Sequence, residues 1–298
     1  MKKLLLLMTL LVPQNAADEW LGRPVDDRTF KTYLDFFKYD RNLPFSLRTL
    51  GVEVSEGIKT EHVSFESTTG VRIIANLYRP TTAAASGNPA VLVLHPGGGD
   101  GKGCMRVPAE LLARGGFVVL SIDMQFFGER RTGLLTTFTE QEIRDRLYNQ
   151  PPAYLAWVTQ TMKDVSRSVD FLVRNAGVDE KRIGLLGFSR GAVMSSIAGA
   201  VEPRFRAVAM FYGGHLGVLQ TAHLPAACPA NYIGRIYPRP LLMINGMNDP
   251  LMIRETAVLP MFRLAKNPKE IVWEDGGHQM PSQANQVKTL HWLQENLK

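Results

Sequence analysis

The sequence predicts an α/β protein: a mostly parallel central sheet with helices on both faces, preceded by an N-terminal helical extension. Two observations carry this. Continuous apolar runs of strand length recur from residue 90 onward, and helix-like segments separate most of them. Strands buried on both faces of a parallel sheet read as unbroken apolar runs, and parallel neighbours need a crossover connection, most simply a helix. A third observation concerns chemistry. A serine, an aspartate and a histidine follow three of these runs in that order.

The elements follow along the chain. Residues 18–58 mix aromatic and charged side chains, as in "KTYLDFFKYDRNLPFSLRTL", and predict one or two short helices packed on a larger body. Then "EHVSFEST" and "VRIIANLYRP" alternate apolar and polar residues around Thr69-Gly70, the pattern of an antiparallel hairpin. The runs "AVLVLHP", "FVVLSID", "RIGLLGF", "AVAMFYG", "PLLMING" and "EIVWEDG" are the candidate parallel strands. Between or after them, "MRVPAELLARG", "DVSRSVDFLVRNAG", "GAVMSSIAGAV", "IRETAVLPMFRLAK" and "QANQVKTLHWLQENL" are the candidate helices. The stretch 124–163 exceeds a simple connection and is expected to be an insertion with helices of its own, a lid over the strand ends. There is no internal repeat, so 18–298 reads as one domain.

The first seventeen residues, "MKKLLLLMTLLVPQNAA", have the layout of a secretory signal: Lys2 and Lys3, an apolar core from Leu4 to Val12, then the small Ala16 and Ala17. Cleavage near Ala17 and a secreted or periplasmic protein are expected, although Asn15 is not the small residue such sites favour. The apolar core is too short for a permanent anchor, so no stable membrane insertion is expected after cleavage.

Composition narrows the function. The chain is 45% hydrophobic and 21% charged, the profile of a soluble globular protein. Its net charge is +6, but the basic residues are scattered and form no stripe interleaved with aromatics, which argues against nucleic-acid binding. Cys104 and Cys228 are too few and too far apart for a disulfide framework or a zinc site. One disulfide and two buried free thiols are both compatible with them.

In an open α/β sheet, ligands bind beyond the carboxyl ends of the strands. Gly187-Phe188-Ser189-Arg190-Gly191 is Gly-x-Ser-x-Gly between an apolar run and a helix-like segment, the setting of a nucleophile elbow. The bare pentapeptide also suits an ordinary turn, and its flanks favour the elbow. A serine hydroxyl needs a base, and the base an orienting carboxylate. His278 in "DGGHQMP" and Asp249 in "NGMNDPLMI" are placed for those roles. An oxyanion needs two N–H donors. The amide of Arg190 is one candidate. The other is Gly97 or Gly98 in "HPGGG", because Pro96 has no N–H. Phe127 and Arg130, in "MQFFGERR", and His215, in "YGGH", follow strand ends and are candidate substrate contacts; a charged loop such as the first is usually just solvated, and a plain loop role suits His215 equally.

These residues give the chain, from about residue 60 to its end, a resemblance to the α/β-hydrolase superfamily. Within it the chain is most similar to the dienelactone-hydrolase and acetyl-xylan-esterase-like branch. The resemblance rests on "VLHPGGGDG", "GFVVLSIDMQFFGERR", "VDFLVRNAGVDEKRIGLLGFSRGA" and "PLLMINGMNDPLM". It implies the α/β-hydrolase fold and ester hydrolysis through an acyl-enzyme, with Ser189, Asp249 and His278 as triad and no metal or cofactor. It also implies a small-molecule or carbohydrate ester as substrate, for instance an acetylated sugar. Two positions depart from the pattern. Arg190 stands where relatives often have Gln or Met, and Ser189 where the dienelactone enzymes carry cysteine. A serine peptidase or amidase, and a non-catalytic binding protein on the same fold, are the alternatives.

Overall fold

Among the described residues nine strands form one sheet: β1 (Arg48–Ser55), β2 (Ile58–Thr68), β3 (Val71–Pro80), β4 (Asn88–Leu94), β5 (Val118–Ile122), β6 (Val178–Phe188), β7 (Phe205–Phe211), β8 (Leu241–Gly246) and β9 (Lys269–Glu274). The structure, a computed structural model, describes residues 20–216 and 224–298. The expected signal at 1–17 lies outside the described residues. The strand order is β1-β2-β3-β5-β4-β6-β7-β8-β9. The meander β1-β2-β3 is antiparallel and β3 joins β5 antiparallel, whereas every pairing from β5 through β4 to β9 is parallel.

The helices that accompany the sheet among the described residues include α1 (Asp27–Tyr33), α2 (Arg106–Arg114), α3 (Glu140–Ile143), α4 (Pro151–Asn175), α5 (Arg190–Val201), α6 (Leu259–Leu264) and α7 (Gln283–Asn296). Side chains alternate across a strand, and β4 shows both faces occupied. Ala90, Leu92 and Leu94 pack with Trp157, Val165 and Ile197 of α4 and α5, while Val91 and Val93 pack with Ala109 and Leu112 of α2 and Leu293 of α7. Both clusters are fully buried, which is why these strands read as unbroken apolar runs. Each such buried aliphatic or aromatic side chain contributes about 1.5–3 kcal/mol relative to exposure. No helix among the described residues is long and apolar enough to cross a membrane.

One element differs from the sequence expectation. Among the described residues the extension is helical over 20–22 and over Asp27–Phe37, where Asp26 Oδ1 caps the first turn by accepting the Thr29 N–H at 2.7 Å. Its last part is β1, joined to β2 by a tight turn in which Glu56 and Gly57 both have positive φ (48° and 77°). That turn suits a two-residue hairpin. All eight residues of β1 are exposed, so no buried face marks the strand. The stretch 124–163 contains α3 and the first turns of α4; with Pro151 and Pro152 at its start, where a missing N–H costs nothing, α4 runs unbroken from Pro151 to Asn175.

Candidate active site

The turn after β6 is built by sterics. Ser189 has φ 53° and ψ −115°, a conformation disfavoured for any residue with a side chain and worth on the order of 1–3 kcal/mol of strain. Its N–H donates to Phe211 O on β7 at 2.8 Å and its carbonyl accepts the Val193 N–H at 3.0 Å, so the neighbouring strand and α5 hold it. A Cβ at position 187 would sit 2.3 Å from Gly191 O, and one at 191 would sit 2.2 Å from Leu94 O. The two glycines of Gly-x-Ser-x-Gly are thus what allows α5 to start directly on the sheet.

Three strand-end loops bring Ser189, His278 and Asp249 together. His278 Nε2 lies 2.6 Å from Ser189 Oγ, and His278 Nδ1 lies 2.7 Å from Asp249 Oδ2. The other oxygen, Asp249 Oδ1, accepts the N–H groups of Leu251 (2.8 Å) and Met252 (2.9 Å). Burial by itself raises the Asp249 pKa, but the hydrogen bonds from His278 and Met252 outweigh it and hold the carboxyl below its ordinary value. An anionic Asp249 must accept from Nδ1–H, which leaves the Nε2 lone pair facing Ser189 Oγ–H. The imidazole is stacked on Phe188 (centroids 5.8 Å, 17°) and meets Tyr212 edge-on (5.8 Å, 87°), so both rings restrict its orientation.

The loop after β4 reaches the same place. His95 is fully buried; its Nε2 accepts the Met124 N–H at 2.9 Å, so the proton sits on Nδ1, which donates to Pro96 O at 2.5 Å. Gly97 is packed under Arg190: a Cβ there would coincide with the Arg190 guanidinium, 1.5 Å from Nη1. Gly98 has φ 149° and open space on its Cβ side. The Arg190 side chain and Gly97 are therefore adjacent in space. Asp123, at the end of β5, ties this loop to the next one by accepting the N–H groups of Lys102 (2.7 Å) and Glu129 (3.0 Å) and the Lys102 ammonium (2.8 Å).

The cavity beside the serine is small, about 10 Å³, and is lined by Glu140, Tyr148, Ser189, Arg190, Leu216, Leu251 and Met252. Two larger cavities, of about 600 and 640 Å³, include none of Ser189, Asp249 and His278. The hydrogen-bonded geometry, not cavity size, locates the chemistry. Among the described residues, no three His, Cys, Asp or Glu side chains converge as metal ligands would.

The three expected substrate contacts are engaged elsewhere. Phe127 is buried in an aromatic cluster with His95, Phe138 and Trp157. Arg130 is turned inward, its Nη1 2.6 Å from Asp164 Oδ2 and 2.9 Å from Asp123 O. His215 is 1% exposed with Nε2 3.5 Å from Cys228 Sγ, and its neighbour Leu216 is the one that lines the cavity. Position after a strand end names the loop but not the direction a side chain takes. Conversely, Tyr148 and Glu140, on the insertion, reach the cavity with no sequence motif to mark them. Cys104 is exposed and Cys228 buried, and both are free thiols.

Comparison with known proteins agrees with this architecture. The dienelactone hydrolase family model matches residues 73–272. An uncharacterized protein of Pseudomonas aeruginosa is 28% identical over 152 residues, 50% of this chain and 36% of that protein. The chain thus aligns with about a third of the length of that curated relative. Acetyl xylan esterase 1 from Thermoanaerobacterium superposes with a TM-score of 0.69 at 17% identity, over 94% of this chain and 98% of the other. An acetyl xylan esterase from Paenibacillus gives 0.70 at 16% identity, over 94% and 99%. A cold-adapted esterase from an Arctic intertidal metagenomic library gives 0.65 at 17% identity, over 84% and 100%. At these identities, the superpositions establish a shared fold.

Proposed function

The chain belongs to the dienelactone hydrolase family, and from that premise we propose that it is a serine hydrolase cleaving carboxylic esters of a small acyl group through an acyl-enzyme. The observation that carries this reading is the continuous chain Asp249–His278–Ser189, with contacts of 2.7 and 2.6 Å. His278 Nε2 takes the proton of Ser189 Oγ as the oxygen attacks the ester carbonyl, and Asp249 stabilises the imidazolium that results. The carbonyl oxygen becomes an oxyanion facing the amides of Arg190 and Gly97. Collapse expels the alcohol, which takes the proton from His278. Water then enters and attacks the acyl carbonyl as His278 accepts its proton; the bond to Ser189 Oγ breaks, His278 returns the proton to Oγ, and the acid is released.

The acyl size follows from the cavity. About 10 Å³ has room for roughly one water molecule, and so narrow a space beside Ser189 favours a small acyl group over a long one. A carbohydrate as the alcohol is supported by the fold shared with the acetyl xylan esterases. Export is proposed on the N-terminal sequence alone, and N-terminal sequencing of the protein recovered outside the cytoplasm tests it.

For the reaction, Ser189→Ala should abolish burst release of p-nitrophenol from p-nitrophenyl acetate. Wild-type turnover in that variant would refute the mechanism. Rates on acetate and butyrate esters, on acetylated sugars, and on the amide matching the best ester then define acyl size, alcohol and bond type. A faster amide would favour an amidase.

A further inference from the structure

Arg190 carries a feature that its backbone role leaves unexplained. Its side chain is 4% exposed, and the guanidinium presents three donor groups inside the protein. Nε donates to the hydroxyl of Tyr148, and Nη2 lies 3.6 Å from the Glu140 carboxylate. Nη1 is buried and has no hydrogen-bond partner among the described residues. Buried donors are nearly always paired, so an unpaired one on a cation is available to an acceptor that arrives from outside.

The place of Nη1 says which acceptor. It occupies the position where a side chain at 97 would begin, on the loop that carries the second expected oxyanion donor, and Arg190 lines the same small cavity as Ser189. The guanidinium is also fixed before any ligand arrives. It lies over the rings of Tyr148 (4.9 Å) and Phe127 (5.3 Å), and Tyr148 and Glu140 hold the remaining two arms of its fork. A donor held in place in this way needs no reorganisation when charge appears.

We propose that the Arg190 side chain, through Nη1, is a third and charged donor to the oxyanion formed on the substrate carbonyl. The inference rests on the serine-hydrolase reading and deepens it. A neutral ester carbonyl gains little from the cation, whereas the tetrahedral oxyanion gains much, so the interaction acts on kcat more than on KM. Glu140 offsets the charge only in part, because its side chain is 42% exposed and shared with water. The Gly97 requirement follows from the same arrangement: any larger residue there would displace the guanidinium.

The test uses the full chain with p-nitrophenyl acetate as substrate and a trifluoromethyl ketone, which Ser189 would convert to a hemiketal oxyanion, as transition-state analogue. Labelling of Ser189 by a fluorophosphonate comes first. If Ser189 is not labelled, the hydrolase reading fails and this inference falls with it. If Ser189 is labelled, Arg190→Met should lower kcat on the order of 100-fold, leave KM within about threefold, and weaken the trifluoromethyl ketone in proportion to kcat. Arg190→Lys should recover part of the loss. Arg190→Gln, which keeps a donor for Tyr148 and removes the charge, gives the same readout if the Met variant does not fold. With Ser189 labelled, three results would each overturn the inference alone. They are an unchanged kcat in the neutral variants, a loss confined to KM, or a loss of kcat with unchanged ketone affinity. The second would mean recognition of the acyl group, and the third a purely structural role.

Discussion

Asp249 Oδ2 lies 2.7 Å from His278 Nδ1, and the other oxygen of the same carboxylate is already taken by two backbone N–H groups. The carboxylate therefore cannot rotate without losing three hydrogen bonds, and it fixes both the tautomer and the tilt of the imidazole. Asp249→Asn is expected to lower kcat on the order of 10⁴-fold with little change in fold, because an amide can present N–H to Nδ1 and so favour the wrong tautomer. The pH sign follows from the lowered Asp249 pKa. The stability it contributes is complete above the ordinary carboxylate pKa and is lost as pH falls through the lower folded value. Steady-state kinetics and acid unfolding of the two proteins check both parts.

The contact between Gly191 and Leu94 O makes the elbow intolerant of a methyl group. A Cβ at 191 would meet Leu94 O at 2.2 Å and His95 O at 2.7 Å, and both belong to the backbone that leads into the Gly97 loop. Neither atom can move aside as the end of a flexible side chain would. Gly191→Ala is expected to cost about 3 kcal/mol, at the upper end of overpacking effects. Gly133→Ala, which meets nothing within 4 Å, is the control and should change denaturant midpoints little.

What the sequence disclosed depended on how directly a residue's role follows from chain position. The parallel strands were legible because both of their faces are buried, as Leu92 and Val93 show on opposite sides of β4. Ser189, Asp249 and His278 were legible as candidates because each lies within about four residues of a strand's carboxyl end, and parallel strands bring those ends together. β1 was not, because its apolar Leu50, Val52 and Val54 are exposed and no buried partner marks the strand; the Glu56-Gly57 turn was the available signal. Tyr148 was not, because its approach to Arg190 depends on the tertiary path of the insertion, which no local pattern encodes. The inward turn of Arg130 was hidden for a related reason. Its loop was placed correctly, but the buried Asp164 that turns it inward is 34 residues away in sequence.

His95 is expected to be a positioning residue. The Pro96 carbonyl that accepts its Nδ1–H belongs to the same planar peptide unit as the Gly97 N–H, so pinning one directs the other. Burial lowers the His95 pKa to about 4 from an ordinary 6.5. The unfolded chain therefore binds the extra proton between those values, and the stabilisation present above pH 6.5 is lost as pH falls toward 4. The size of the effect is on the order of 3 kcal/mol. His95→Phe should have a lower kcat and a flatter dependence of stability on pH over this window. Equal pH slopes for the two proteins in thermal unfolding would contradict the account.

The two thiols should differ in reactivity. Cys228 is fully buried and its pKa is pushed up to about 12, chiefly by burial. Cys104 is exposed, with its pKa raised by partial burial and by the nearby Asp100 charge. A thiol reagent at pH 8 should therefore titrate one group in the native protein, slowly, and two in guanidinium chloride. Two fast native thiols would mean that the Cys228–His215 contact opens in solution.

Arg130 and Asp164 decide between structure and substrate recognition for the loop after β5. Arg130 Nη1 lies 2.6 Å from Asp164 Oδ2, whose partner oxygen accepts from Ser67 Oγ (2.5 Å) and Gln160 Nε2 (2.7 Å). Both side chains of the ion pair are buried, at 6% and 0% exposure. Removing only the cation leaves a buried carboxylate uncompensated, a loss of about 3–5 kcal/mol. Arg130→Met is thus expected to lower the denaturation midpoint sharply while kcat and KM of the folded fraction stay within about twofold. Adding Asp164→Leu should return part of the stability, since the buried charge is then gone. The return will be incomplete, because Ser67 and Gln160 lose their acceptor and the Ser67 hydroxyl has no water to turn to. A normal midpoint with a raised KM for esters carrying a carboxylate would instead place Arg130 on the substrate, with Asp164 only its resting partner.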